Sequence, residues 1–219
     1  MLIALLFAAA FPFEVVGFSP DGRYVAFIEH GVGEGSGYPW ARLRVFEVAR
    51  NLDAEAPLEL RLDSGKDSDT EEEAVRRARA AAPAALRKLR IASWSAPRVI
   101  RHEPDGELTD REGAPIGTLQ LQRQEARGGK CDEPFRPLLL RLVMFFLDDD
   151  RPARLAKDGA LPKDRPCAST CDLAGMFAHR KSALAVVRCT VPGFEGPGVK
   201  YSAYAGVLPY PLDEPLPAR

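Results

Sequence analysis

Four cysteines and a small set of loop aromatics and carboxylates are the residues with chemistry to offer. Cys131, Cys167, Cys171 and Cys189 form an even set, which in an exported chain points to two disulfides. Spacing selects one of the three pairings. Pro137 to Leu147 is an apolar run closed by an acidic turn at Asp148–Asp150, and Cys131 and Cys167 lie equally far from Asp149. A second apolar pair, Leu173 to Ala178 and Ala183 to Val187, meets at a polar turn near Arg180, with Cys171 and Cys189 equally far from it. Antiparallel hairpins set such positions opposite each other. The expectation is therefore Cys131–Cys167 and Cys171–Cys189. The rival is zinc held by Cys167, Cys171, His179 and Cys189, but that spacing matches no common zinc pattern. No metal site is expected.

The second set is Glu29, Tyr38, Trp40, Phe194 and Glu195. These lie in or beside glycine- and proline-rich loops with no helical or strand periodicity to explain the aromatics. Aromatics beside one or two carboxylates suit a pocket for a small ligand or peptide; the alternative is that they plug the end of a sheet. Other motifs fall short. The glycines at 31–37 lead to a strand rather than to a helix N-terminus that could hold a phosphate. Ser36 lacks nucleophile-elbow spacing. His30, His102 and His179 are scattered. Asp67, Asp69 and Glu71, like Asp148–Asp150, lack the calcium-loop pattern. No catalytic residue and no cofactor is expected.

Mostly β elements must position these residues. Phe13 to Phe18 and Arg23 to Glu29 are apolar and rich in strand formers, joined by Ser19-Pro20-Asp21-Gly22. Proline presets the first central turn position and glycine accepts positive φ, so this is a hairpin. Ala41 to Val48 alternates as a half-buried strand pairing with it. Asp67 to Arg90 reads as one helix, capped by Ser68 or Asp69, with Glu71–Glu73 at its positive end. Its stripe is Val75, Ala78, Ala82, Leu86 and Leu89, kinked or divided at Pro83 and laid on a sheet face. Further strands are expected at Arg98 to Arg101, Ile116 to Gln122 and Val199 to Val207. The fold class is α+β, mostly β: antiparallel sheets of hairpins with one kinked helix, about 68–90, on a face.

The 219 residues carry 30 basic and 31 acidic side chains. A balance this even argues against nucleic-acid binding. Leu2 to Phe7 is apolar and Ala8-Ala9-Ala10 suits signal peptidase, so residues 1–10 read as a signal peptide, although no Lys or Arg precedes the run. The alternative is a buried N-terminal strand of a cytosolic protein. Residues 11–209 then form one domain and 210–219 a proline-rich tail. No later stretch is apolar for long enough to span a bilayer, and the expected location is periplasmic or secreted.

Gly17-Phe-Ser-Pro-Asp-Gly-Arg-Tyr-Val-Ala-Phe27, Glu29, Gly-Ser-Gly-Tyr-Pro-Trp-Ala41, Leu161-Pro162 through Arg165-x-Cys167, and Gly193-Phe-Glu-Gly-Pro197 together resemble a bacterial family of predicted secreted proteins, domain of unknown function 2259. Ser-Pro-Asp-Gly alone also occurs in TolB-type and WD40-type propeller blades, but this chain lacks the repeats a propeller needs. The resemblance implies export and a single domain, and no activity. The chain departs from the family in an extra cysteine pair and in its uncharged n-region. The expected function is a non-catalytic binding or interaction module of the cell envelope, meeting an envelope protein or a small ligand. The alternatives are a hydrolase using Glu29 and Glu195, and a purely structural envelope protein.

Overall fold

The computed structural model describes residues 12–33, 35–63, 69–91, 98–100, 106–109, 115–127, 130–146, 149–160, 162, 165–193 and 196–209. Its strands form three antiparallel sheets. The N-terminal sheet runs β1 (Phe13–Phe18), β2 (Tyr24–Val32), β3 (Pro39–Glu47) and β4 (Leu52–Asp53), with β5 (Leu58–Arg61) also on β3. The central sheet runs β13 (Gly196–Val207), β12 (Ser182–Gly193), β11 (Thr170–His179) and β6 (Arg98–Ile100). The third runs β10 (Asp149–Lys157), β9 (Leu138–Phe146), β8 (Pro115–Glu125) and β7 (Glu107–Thr109). Mostly β, antiparallel and hairpin-built, this is the class the sequence points to. The sheets stack face to face; among the described residues no radial arrangement of blades accompanies the Ser-Pro-Asp-Gly turn.

Layering explains the hydrophobic pattern. In β12, Ala183, Ala185 and Val187 face the third sheet, while Leu184 and Val186 face the N-terminal sheet. A strand with both faces covered has no polar positions to spare, so Ala183 to Val187 is unbroken. β2 is covered twice as well. Val25 and Phe27 join the core against the central sheet, and Ala26 and Ile28 join those under the helices.

Pro83 divides the helix rather than kinking it, and the cap differs from the sequence reading. The result is two helices, α1 (Glu71–Ala81) and α2 (Pro83–Lys88). Proline cannot donate to the ladder and fits best at a first helical position, so it breaks the run at Ala82 and starts a new one. The cap is Thr70, whose side chain accepts from the Glu73 amide at 3.2 Å, and not Ser68 or Asp69. Ser68 lies outside the described residues. Ala74, Ala78 and Ala82 are buried on the N-terminal sheet, with Val75 and Leu86 partly so. Small side chains let α1 lie close to β2 and β3.

The Ser19–Gly22 turn is held from within and from outside. The Gly22 amide donates to the Ser19 carbonyl at 2.8 Å, the Ser19 hydroxyl to Asp21 at 2.6 Å, and the Tyr24 amide to the Ser19 oxygen at 3.0 Å. Ser182, at the start of β12, donates to the Gly22 carbonyl at 2.6 Å within the core. Gly22 has φ +72°, and a Cβ there would lie 2.4 Å from the Ser182 hydroxyl. Gly22→Ala is thus expected to lower stability by about 2–3 kcal/mol, backbone strain and overlap combined. Urea unfolding of this variant, alone and with Ser182→Gly, measures it: the second change should recover the overlap and leave the strain. A loss below about 0.5 kcal/mol for Gly22→Ala would refute the account.

Both disulfides pair as the sequence indicates, Cys131–Cys167 with Cα atoms 5.9 Å apart and Cys171–Cys189 with Cα atoms 4.0 Å apart. The route differs from simple hairpin symmetry. The β11–β12 turn is Arg180-Lys181, and His179 faces Ser182. That register alone would set Cys171 against Thr190. A bulge between Leu173 and Gly175 shifts it by one, so Cys171 faces Cys189. In the other hairpin Asp149 and Asp150 belong to β10 rather than to a turn. That hairpin ends at Leu138 and Lys157, so loops bring Cys131 to Cys167, beside an isolated bridge between Arg136 and Ala168.

Candidate functional site

The N-terminal and central sheets part at one end, leaving a cavity of about 370 Å³. That lies within the usual range of small-ligand pockets, about 300–1,000 Å³. Strand alternation decides what enters it. Along β2, Phe27 faces the central sheet, so Glu29 and Gly31 do too, while His30 turns to the helix side. Across the β2–β3 ladder Gly31 is opposite Trp40 and Glu29 opposite Arg42, which places Trp40 and Arg42 on the same face. On the opposing wall, Val186 is paired with Ala203, both in the shared core. Two residues further, Arg188 and Tyr201 therefore face the same cavity. Lys200 pairs with Cys189, a residue of the opposite core, so register points its side chain to the other face although it borders the cavity.

Glu29 is the electrostatic centre. Its side chain is only 12% exposed and lies 3.5 Å from an Arg44 nitrogen and 4.0 Å from one of Arg42. Those arginines also reach outward, Arg42 to Glu59 at 2.8 Å and Arg44 to Asp53 at 2.7 Å. Trp40 packs beside Gly31, where a Cβ would meet the indole in ordinary contact at 3.4 Å.

Of the five residues singled out from sequence, Glu29 and Trp40 come together in this cavity. Tyr38 does not line it: it is 39% exposed and sits under the Arg61 guanidinium, 5.1 Å from the ring centre. Phe194 and Glu195 lie outside the described residues. Arg188 and Tyr201 were missed. Arg188 carried a signal, being the one charge in the run from Ala183 to Val191.

A second cavity, of about 350 Å³, opens on the helix side between Glu14, His30, Glu71, Glu72, Arg76 and Arg79. Its charges are largely paired internally: His30 Nδ1 meets Glu71 at 2.5 Å, and Arg79 pairs with Glu14. No group of three or more His, Cys, Asp or Glu among the described residues can hold a metal ion.

A buried polar cluster lies between the central and third sheets. Arg165 is fully buried and donates to Asp158 at 2.7 Å, to the Leu138 carbonyl at 2.8 Å and to the Tyr204 oxygen at 3.2 Å. Tyr204 donates to Asp158 at 2.9 Å. Burial, reinforced by the Asp158 charge, pushes the Tyr204 hydroxyl well above its ordinary value. Its hydrogen bonds tie the chain after β10 to β9 and β13.

Residues 26–206 match the protein family described as predicted secreted protein, DUF2259. The chain belongs to this family. No curated protein and no solved structure matches it. Membership makes this a secreted protein, and two disulfides suit an extracytoplasmic location. No helix among the described residues is long and apolar enough to cross a membrane. The family match spans Glu29, Trp40, Arg188 and Tyr201, and so both walls of the cavity.

Proposed function

We propose that the protein is a non-catalytic binding module of the bacterial cell envelope, periplasmic after export, and that its ligand enters the cavity between the N-terminal and central sheets. The observation that carries this reading is the convergence of Glu29 and Trp40 with Arg188 and Tyr201 across a gap of about 370 Å³. A few polar groups set in a largely apolar concavity are the usual composition of a ligand site. The size favours a small molecule or a short peptide end over a folded protein. Hydrolysis by paired carboxylates needs a second carboxyl about 5–9.5 Å from the first. Among the described residues lining the cavity Glu29 is the only carboxylate, and Glu195 lies outside them.

Native mass spectrometry of the purified protein after incubation with envelope extract tests this. The wild type is expected to retain a small adduct that Trp40→Ala loses or holds at least tenfold more weakly. An adduct held equally by wild type and Trp40→Ala, or none at all, would sink the reading.

A further inference from the structure

We infer that this cavity takes a small, uncharged and mostly apolar ligand. The inference rests on the binding-module reading and names the chemistry of its ligand. Among the described residues the charged ones that border the cavity are Glu29, His30, Arg188 and Lys200. Each is already answered or turned away. Glu29, only 12% exposed, lies 3.5 Å from Arg44 and 4.0 Å from Arg42. His30 turns to the helix side and meets Glu71 at 2.5 Å. Arg188 stands 3.9 Å from Asp172, and the two are almost equally exposed, 55% and 56%. Lys200 is paired with Cys189 and faces the opposite core by register. An ion of either sign would leave water for a space that offers it no unmatched counter-charge, which is costly. The rest of the lining is largely apolar, with Pro12, Trp40, Val199 and Tyr201 in it. Val199 lies two residues before Tyr201 in β13, on the same face. It is 57% exposed, so a large apolar side chain stands half in water at the cavity and gains from being covered. Trp40 and Tyr201, half-buried on opposite walls, add ring surface with one polar atom each. An uncharged apolar body suits all three.

The test uses three probes of nearly one shape, naphthalene-2-carboxamide, naphthalene-2-carboxylate and 2-naphthylmethylammonium, titrated calorimetrically into the purified protein at neutral pH. The carboxamide is expected to bind about tenfold more tightly than either ion. Val199→Lys supplies a counter-charge at an exposed strand position where the fold should survive. It is expected to favour the carboxylate over the ammonium by about threefold relative to wild type, the scale of an exposed ion pair, while Trp40→Ala weakens all three probes. Circular dichroism melts confirm that each variant is folded. Either ion binding as tightly as the carboxamide, or a ratio of the two ions unmoved in Val199→Lys, overturns the uncharged assignment and leaves the binding site standing. Failure of all three probes at millimolar concentration, with the envelope adduct still retained, overturns the apolar assignment. Failure of the probes and of the adduct together counts against the site itself.

Discussion

Arg165→Met is expected to destabilise the protein by about 3–5 kcal/mol, the cost of leaving a buried ion-pair partner without its counter-charge. Asp158 is 6% exposed and Arg165 0%. Removing the guanidinium strips Asp158 of its cation and leaves the Leu138 carbonyl without its side-chain donor. Methionine restores most of the volume, so the loss measures charge and hydrogen bonding rather than a cavity. Urea unfolding at neutral pH reads it, and a loss under about 1 kcal/mol would show that the cluster is not a structural tie. The double variant Arg165→Met/Asp158→Leu should recover only the part of the loss due to the unpaired carboxylate, because the Tyr204 hydroxyl and the Leu140 amide then lose their acceptor.

The same cluster has an alkaline signature. The Tyr204 hydroxyl is raised in the folded state by burial and by Asp158. Above pH ~10 the unfolded chain gives up this proton while the folded chain keeps it. Its contribution is therefore complete below the unfolded value and is lost as pH climbs towards the folded one. Wild-type stability should fall more steeply above pH ~10 than that of Tyr204→Phe, and the two slopes should agree near neutrality.

Loss of the Cys171–Cys189 bridge is the second large effect. The double variant Cys171→Ala/Cys189→Ala is expected to lose about 3 kcal/mol from loop-closure entropy alone, the bridged residues being 18 apart in sequence. Both cysteines are fully buried in the core between the central and third sheets, so the lost sulfur contacts add to the entropic cost. Cys131–Cys167 spans 36 residues, which on the same reasoning is worth about 4 kcal/mol. It ties loops rather than paired strands, and both of its cysteines are half-buried. Under mild reductant in the native state, Cys131 and Cys167 should accept a thiol-reactive label first, and Cys171 and Cys189 only with global unfolding. Peptide mapping of the labelled protein distinguishes the two; equal labelling rates would mean that burial does not protect the inner bridge.

Much of this architecture was legible from local signals. Ser19-Pro20-Asp21-Gly22 announces its turn because each residue meets a backbone requirement of that turn. The unbroken run from Ala183 to Val187 announces a strand covered on both faces, and Pro83 announces the end of a helix. Cysteine spacing points to both pairings, yet the turn is centred half a residue beyond Arg180, and only the one-residue bulge after Leu173 restores the Cys171–Cys189 register. Bulges follow from how a sheet must twist over its neighbours, and they leave little trace in a single strand.

The sequence by itself determined the antiparallel, mostly β class and the cysteine partners. Those properties depend on turn chemistry, on alternation within a strand and on residue type, all of which act over a few positions. Only the tertiary structure decided that Arg188 and Tyr201 face Glu29 and Trp40, that Tyr38 stays outside beneath Arg61, and that Arg165, Asp158 and Tyr204 share one buried cluster. Each of those facts joins residues far apart in the chain across separate sheets. Their meeting depends on how the sheets stack, on which face is turned inward and on where the two layers part.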